Sequence, residues 1–153
     1  MNKLEESELS PEISVVVPIN NEQENIPELY DRLLAVLNKL CTCEGFGQNG
    51  FEIILVDDGS KDNSWELIQQ LHSRDNRLKA LQFSRNFGHH FAITAGIDYA
   101  RGNTVIIMDG DLQDLPEEIV RLYDKYKEGY DLVYGIRSNR QDPLIKKLLA
   151  KFF

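Results

Sequence analysis

The sequence predicts an α/β domain, a mostly parallel sheet flanked by helices on both faces. Three observations carry this. Apolar runs of strand length alternate with longer segments whose apolar residues recur every three or four positions. Polar clusters follow the strand runs, on the rim where an open parallel sheet binds ligands. At 153 residues with 42% hydrophobic content, the chain can bury one core of ordinary size.

Taken in order, Ile13–Ile19 reads as the first strand. Asn25–Leu40 follows as a helix whose apolar stripe is Leu29, Leu33, Val36, Leu37 and Leu40. The polar, Gly-containing segment Cys41–Gly50 reads as a surface loop. Phe51–Asp57 is the second strand, Asp62–Arg74 the second helix and Leu78–Phe83 the third strand. His89–Ala100, Thr104–Asp109, Pro116–Glu128 and Asp131–Gly135 continue the alternation as helix, strand, helix and a fifth strand.

Charge narrows the function classes. The formal net charge of −8 argues against nucleic acid as a partner, because that affinity comes mainly from Lys and Arg on phosphates. Residues 137–153 run the other way, with Arg137, Arg140, Lys146, Lys147 and Lys151 against Asp142 alone, so this end can meet an anionic partner. Cys41 and Cys43 form a lone C-x-C with no second pair or nearby His, and read as free thiols of a reducing compartment. Residues 1–12 form a polar, acidic amino-terminal extension unlike a secretory signal. No stretch approaches the roughly 20 apolar residues that span a bilayer, so the chain reads as cytoplasmic.

Four rim clusters carry the chemistry. Pro18-Ile19-Asn20-Asn21-Glu22 follows the first strand and Asp57-Asp58-Gly59-Ser60 the second. Ser84-Arg85-Asn86-Phe87-Gly88 follows the third, and Asp109-Gly110-Asp111-Leu112-Gln113-Asp114 the fourth. After the second strand, Ser60 and Asp62 suit a helix cap, with Gly59 at a positive φ. Asp57, the last strand residue, is placed to accept an N–H from a nucleobase. Asp109, Asp111 and Gln113 alternate along an extended segment, so their oxygens can converge on a hard cation such as Mg²⁺ or Mn²⁺. The competing reading is helix capping, a role that Asp114 before Pro116 can fill. Arg137 sits on the same rim, where an Arg fork binds phosphate. His89 and His90 read as an exposed helix start. Residues 141–153 begin a cationic amphipathic helix suited to an anionic membrane surface. That helix stops without a cap, so the chain reads as cut.

Together these clusters resemble the inverting, GT-A-fold family 2 glycosyltransferases, in particular the dolichyl-phosphate mannose synthase and bactoprenol (undecaprenyl-phosphate) glucosyltransferase group. The matching residues are Val15-Val16-Val17-Pro18 with Asn21 to Ile26, Val56-Asp57-Asp58-Gly59-Ser60, Ser84 to Gly88, Ala95-Gly96, Met108 to Asp114 and Gly135-Ile136-Arg137. The resemblance implies a Rossmann-like nucleotide-sugar-binding domain over residues 13–140. It also implies nucleotide contacts from Pro18, Asn20, Glu22, Leu55, Asp57, Asp109 and Gly110, and a metal held by Asp109, Asp111 and Gln113. Arg137 corresponds to an arginine that handles donor or acceptor phosphate. Asn20 departs from the family's usual aromatic or Leu, and Leu115 from its usual Pro.

The implied function is metal-dependent transfer of a sugar from a UDP-glucose-like or GDP-mannose-like donor to a polyprenyl phosphate. No residue stands out as a catalytic base, and a phosphate acceptor needs none, since its second pKa is near ~6. The parent protein is expected at the cytoplasmic face of a membrane, reaching it through the carboxyl-terminal helix and a downstream region, with a homo-oligomer left open. Two other readings stand beside this one. A non-catalytic nucleotide-sugar-binding module would carry the same clusters. A phosphoreceiver domain would carry its acid pair after the first strand and a Lys after the fifth, which this chain does not.

Overall fold

The computed structural model describes residues 10–47 and 49–135. The chain divides into two units, Met1–Arg121 and Leu122–Phe153. The first holds a four-stranded parallel sheet: β1 (Ile13–Ile19), β2 (Phe51–Asp57), β3 (Leu78–Gln82) and β4 (Thr104–Ile107), in the order β3-β2-β1-β4. Its helices are α1 (Ile26–Glu44), α2 (Ser64–Arg74) and α3 (His89–Tyr99). A fourth, α4 (Glu118–Lys127), spans the division between units.

Burial explains why β1 and β2 are apolar throughout. Every residue of both strands is buried, because β1 and β2 lie inside the sheet and both their faces are covered. On one face Val16, Ile54 and Val56 pack with Ala92 of α3. The alternate residues Val15, Val17, Ile53 and Leu55 are equally buried on the other, as is the apolar stripe of α1. β4 is an edge strand, and its exposure alternates. At the amino-terminal end of the sheet, buried Ser14 donates to Glu52 Oε1 at 2.7 Å. Ser14 Oγ and Glu52 Oε1 in turn accept the Gly102 and Arg101 N–H groups, satisfying the connection from α3 to β4.

Two expectations are corrected. Cys41–Gly50 is not all loop, because α1 continues to Glu44 and ends on Gly45 at φ 77°, whose N–H bonds to the Cys41 carbonyl. Cys41 thus lies on the buried stripe, where burial pushes its thiol pKa up, and both cysteines are free. Asp131–Gly135 is not a strand. Among the described residues it has no ladder partner, and Leu132 and Tyr134 are 79% and 74% exposed, so strand-like composition alone did not make a strand. Smaller differences fall at ends: β4 stops at Ile107, two residues early, and α4 starts at Glu118, after Pro116.

A charged cluster ties α1 to the turn after α2. Asp75 accepts from Arg77 Nη2 at 2.8 Å and from the Tyr30 hydroxyl at 3.0 Å. The Arg77 hydrogen bonds hold the Asp75 carboxyl down at about 2, while burial and the Asp75 contact push Tyr30 up to about 12. A depressed carboxylate stabilises the fold above its ordinary pKa of 3.8, and loses that contribution as pH falls through about 2. Asp75→Asn is therefore expected to cost on the order of 2 kcal/mol at pH ~7, from a shift near two pKa units. In urea unfolding the variant and wild type should converge as pH falls towards about 2. A gap that persists there would show that the carboxylate charge is not its source.

Candidate active site

The site forms where the strand order reverses. The chain runs from β1 through β2 to β3 on one side, then returns to β4 on the other side of β1, so a crevice opens between the carboxyl ends of β1 and β4. Pairing of β4 with β1 ends at Val16↔Ile107, with one further bond from the Met108 N–H to the Val16 carbonyl at 3.2 Å. β1 runs on to Ile19, so Asp109, Gly110 and Asp111 leave the sheet alongside its last residues. They pass close: a Cβ on Gly110 would stand 2.6 Å from Ile19 Cδ1.

A cavity of about 290 Å³ occupies the crevice. Pro18 and Ile19 of β1 line it with Asn20 and Glu22 just past that strand, and Asp109, Gly110 and Asp111 line it from the segment after β4. Asp58, Asn86 and His89 complete the lining. Backbone and side chains lace the loops after β1 and β2 together. Asn20 Nδ2 donates to the Asp58 carbonyl at 2.8 Å, the Asn21 N–H to Ser60 Oγ at 2.9 Å, and the Glu22 N–H to Ser64 Oγ at 2.9 Å. Ser60 therefore joins two loops rather than capping α2. Asp62 is not the cap either: Asn63 holds that position without a side-chain cap bond, and Asp62, one residue before it, accepts the Ser64 N–H at 3.0 Å and the Gln23 N–H at 3.1 Å.

Asp58 holds the loop after β3. It is 3% exposed, and its two carboxylate oxygens accept the Phe87 and Gly88 N–H groups at 2.7 and 2.9 Å. Gly59, at φ 65°, lets the Arg85-Asn86 backbone lie against it. Charge-assisted bonds to a buried carboxylate are among the stronger ones available, so Asn86 and His89 are fixed to the frame that carries Asn20 and Glu22.

The acidic segment has its own constraint. Leu112 takes φ 59°, a conformation that costs a non-glycine residue on the order of 1 kcal/mol, and the turn brings the Gln113 N–H within 3.0 Å of Asp111 Oδ1. Further along, Glu117 receives a two-pronged contact from Arg32 of α1, Nε to Oε1 at 3.0 Å and Nη2 to Oε2 at 2.6 Å. That contact holds the Glu117 carboxyl below its ordinary pKa.

The structure thus brings Pro18, Asn20, Glu22, Asp109, Gly110 and Asp111 to one cavity. It does not bring all of the expected residues there. Leu55 is buried within β2, and the exposed Gln113 is not among the lining residues. Asp57 is fully buried behind the lining. Its Oδ1 accepts the Ser60 N–H at 3.2 Å, and its Oδ2 has no hydrogen-bond partner among the described residues. Arg137 and the basic tail lie outside the described residues.

Three lining residues, Asp58, Asn86 and His89, carry no ligand role in the sequence pattern. Their cluster was visible on the rim, but His89 read only as an exposed helix start. It stands there, and also places Nε2 3.5 Å from Asp109 Oδ1. Among the described residues no three His, Cys, Asp or Glu side chains converge as a complete metal cage. Two carboxylates on an open cavity nevertheless fit a hard cation that completes its shell with water and ligand oxygens.

Comparison with known proteins defines the class. The architecture is shared with the Staphylococcus aureus protein TarS (residues 1–349), at TM-score 0.63 and 23% identity over 86% of this chain and 38% of that one. It is shared too with the mannosyltransferase PcManGT of Pyrobaculum calidifontis, in complex with GDP-Man and Mn²⁺, at TM-score 0.56 and 22% identity over 67% and 28%. The fold is that of the GT-A glycosyltransferases. The sequence model of glycosyl transferase family 2 matches residues 14–152, and the chain belongs to that family.

Among relatives, the uncharacterized glycosyltransferase YkcC of Bacillus subtilis (strain 168) is 44% identical over 141 residues, 92% of this chain and 42% of YkcC. The undecaprenyl-phosphate 4-deoxy-4-formamido-L-arabinose transferase of Yersinia pestis (strain Pestoides F) is 45% identical over 140 residues, 91% and 41%. The chain spans less than half the length of these relatives. Family membership removes the phosphoreceiver alternative. No helix among the described residues is long and apolar enough to cross a membrane.

Proposed function

We propose that residues 13–140 are the nucleotide-sugar-binding domain of a metal-dependent, inverting glycosyltransferase. It would transfer a sugar from a UDP-glucose-like or GDP-mannose-like donor to a polyprenyl phosphate at the cytoplasmic face of a membrane. One observation carries this reading: Asp109 and Asp111 border the same switch-point cavity as Asn20 and Glu22. The GDP-Man and Mn²⁺ bound by PcManGT and the undecaprenyl-phosphate acceptor in the name of the Yersinia relative support it.

Each residue then has a task. Pro18, Asn20 and Glu22 seat the nucleoside, and the Asp57 Oδ2 atom lacks the kind of donor that a nucleobase N–H supplies. A buried carboxylate oxygen without a partner is costly, so a base that reached it would gain from pairing. Asp109 and Asp111 hold Mg²⁺ or Mn²⁺, with Gln113 as the family's further ligand. A divalent cation held by these carboxylates would supply Lewis-acid stabilisation for the negative charge of a diphosphate leaving group. Leu55 backs the base side, Gly110 allows close approach, and Arg137 handles phosphate. The acceptor phosphate is already anionic near neutral pH and attacks without a protein base.

Calorimetric titration with UDP- and GDP-sugars tests this. Binding is expected to require Mn²⁺ or Mg²⁺ and to favour one base. Absence of binding by every UDP and GDP species, with metal present, would overturn the proposal.

A further inference from the structure

Beside the donor cavity, the loop after β3 presents groups that donor binding does not use. Asn86 lines the cavity, while its neighbours Arg85 and Phe87 are exposed. The Arg85 guanidinium lies 4.8 Å over the Phe87 ring, and that ring packs edge-on against Phe83 at 5.5 Å. The first turn of α3 adds Phe91, whose N–H bonds to the Gly88 carbonyl. Phe87 is 46% and Phe91 66% exposed.

Exposed rings on a mobile loop would mean little, but this loop is held rigidly by Asp58 and Gly59, as described above. Rigid backbone that keeps two phenylalanines in water presents apolar surface, which marks a docking site more often than chance exposure. Arg85 adds a charge. Among the described residues it has no carboxylate partner, although the chain carries a net charge of −8. Stacking on Phe87 holds the guanidinium in place with its donors free.

We infer that Arg85, Phe87 and Phe91 form the docking surface for the polyprenyl-phosphate acceptor. Arg85 receives the phosphate, and the two rings receive the first isoprene units. This rests on the proposed function and extends it, because it assigns the acceptor to residues next to Asn86 and His89. The complementarity is specific in kind: a phosphate on an apolar chain needs one cation beside apolar surface, adjoining the bound sugar.

The test measures sugar transfer by the full-length protein to a long polyprenyl phosphate in detergent micelles and to a short, water-soluble prenyl phosphate. Arg85→Ala should raise KM for both acceptors about tenfold, and Arg85→Lys should recover part of it. Phe87→Ser combined with Phe91→Ser should raise KM for the long acceptor far more than for the short one. KM for the nucleotide sugar should not move, and the thermal unfolding midpoint should fall only by the loss of the Phe83–Phe87 contact. Unchanged acceptor KM in a transferring enzyme would overturn the docking surface alone. So would an equal rise in KM for the long and the short acceptor with the double variant, since the rings would then act as packing groups rather than as a seat for the chain. A wild-type protein that transfers to neither acceptor with any donor would instead overturn the proposed function.

Discussion

Asp111→Ala is expected to reduce metal-dependent sugar transfer on the order of 10³-fold, or ~4 kcal/mol of transition-state stabilisation at about 1.4 kcal/mol per decade. The carboxylate borders the cavity and receives only one bond from the described residues, the Gln113 N–H on Oδ1. Its remaining lone pairs are available for a cation. Asp111→Asn keeps the shape and that backbone bond while removing the charge, so it should lose nearly as much if ligation is the role. Mn²⁺ titration, read alongside activity, separates the two possibilities. Full metal-dependent activity in either variant would remove Asp111 from the metal site. A uniform loss of stability with metal affinity retained would instead make it a turn residue.

Gly59→Ala should be strongly destabilising. The new Cβ would lie 2.3 Å from the carbonyl carbon of Arg85 and 2.5 Å from the Asn86 nitrogen, and both are backbone atoms that cannot rotate away. The φ of 65° adds conformational strain. Together these predict a loss of about 3 kcal/mol, from overpacking plus a left-handed alanine. The consequence reaches the site, because the displaced loop carries Asn86 and His89 and the two N–H groups bonded to Asp58. Nucleotide binding should weaken even where the fold survives. Gly45→Ala is the control: its φ is 77°, but nothing lies within 4 Å of the added Cβ, so only about 1 kcal/mol should be lost. Chemical unfolding of both variants checks the difference, and equal losses would show that close approach is not what requires Gly59.

Patterns local to the chain predicted the right architecture. β1 and β2 were recovered residue for residue, because strands inside a parallel sheet are apolar on both faces and so stand out from their neighbours. Asp131–Gly135 misled for the converse reason. Leu132, Val133 and Tyr134 have strand composition, yet a strand is completed by the ladder of a neighbour, which sequence does not display. The end of α1 is not legible in the sequence because Cys41 stands among polar residues, and its burial depends on where the helix lies.

The site divides along the same line. By itself, the sequence determined that four polar clusters sit at strand ends, that Asp109 and Asp111 are candidates for a cation, and that the motifs resemble one enzyme family. Alternation and strand-end position are properties of consecutive residues. Only the tertiary structure decided which of these residues share a cavity. Strand order placed β4 against β1 and so set Asp109 and Asp111 beside Asn20 and Glu22. It left Asp57 buried behind the lining with one oxygen unpaired. The left-handed turn at Leu112 directed the Gln113 N–H onto Asp111, and Asp58 became a brace for the loop of Asn86. These outcomes depend on contacts between segments far apart in sequence, whose geometry is settled by packing and by pairing of buried polar groups.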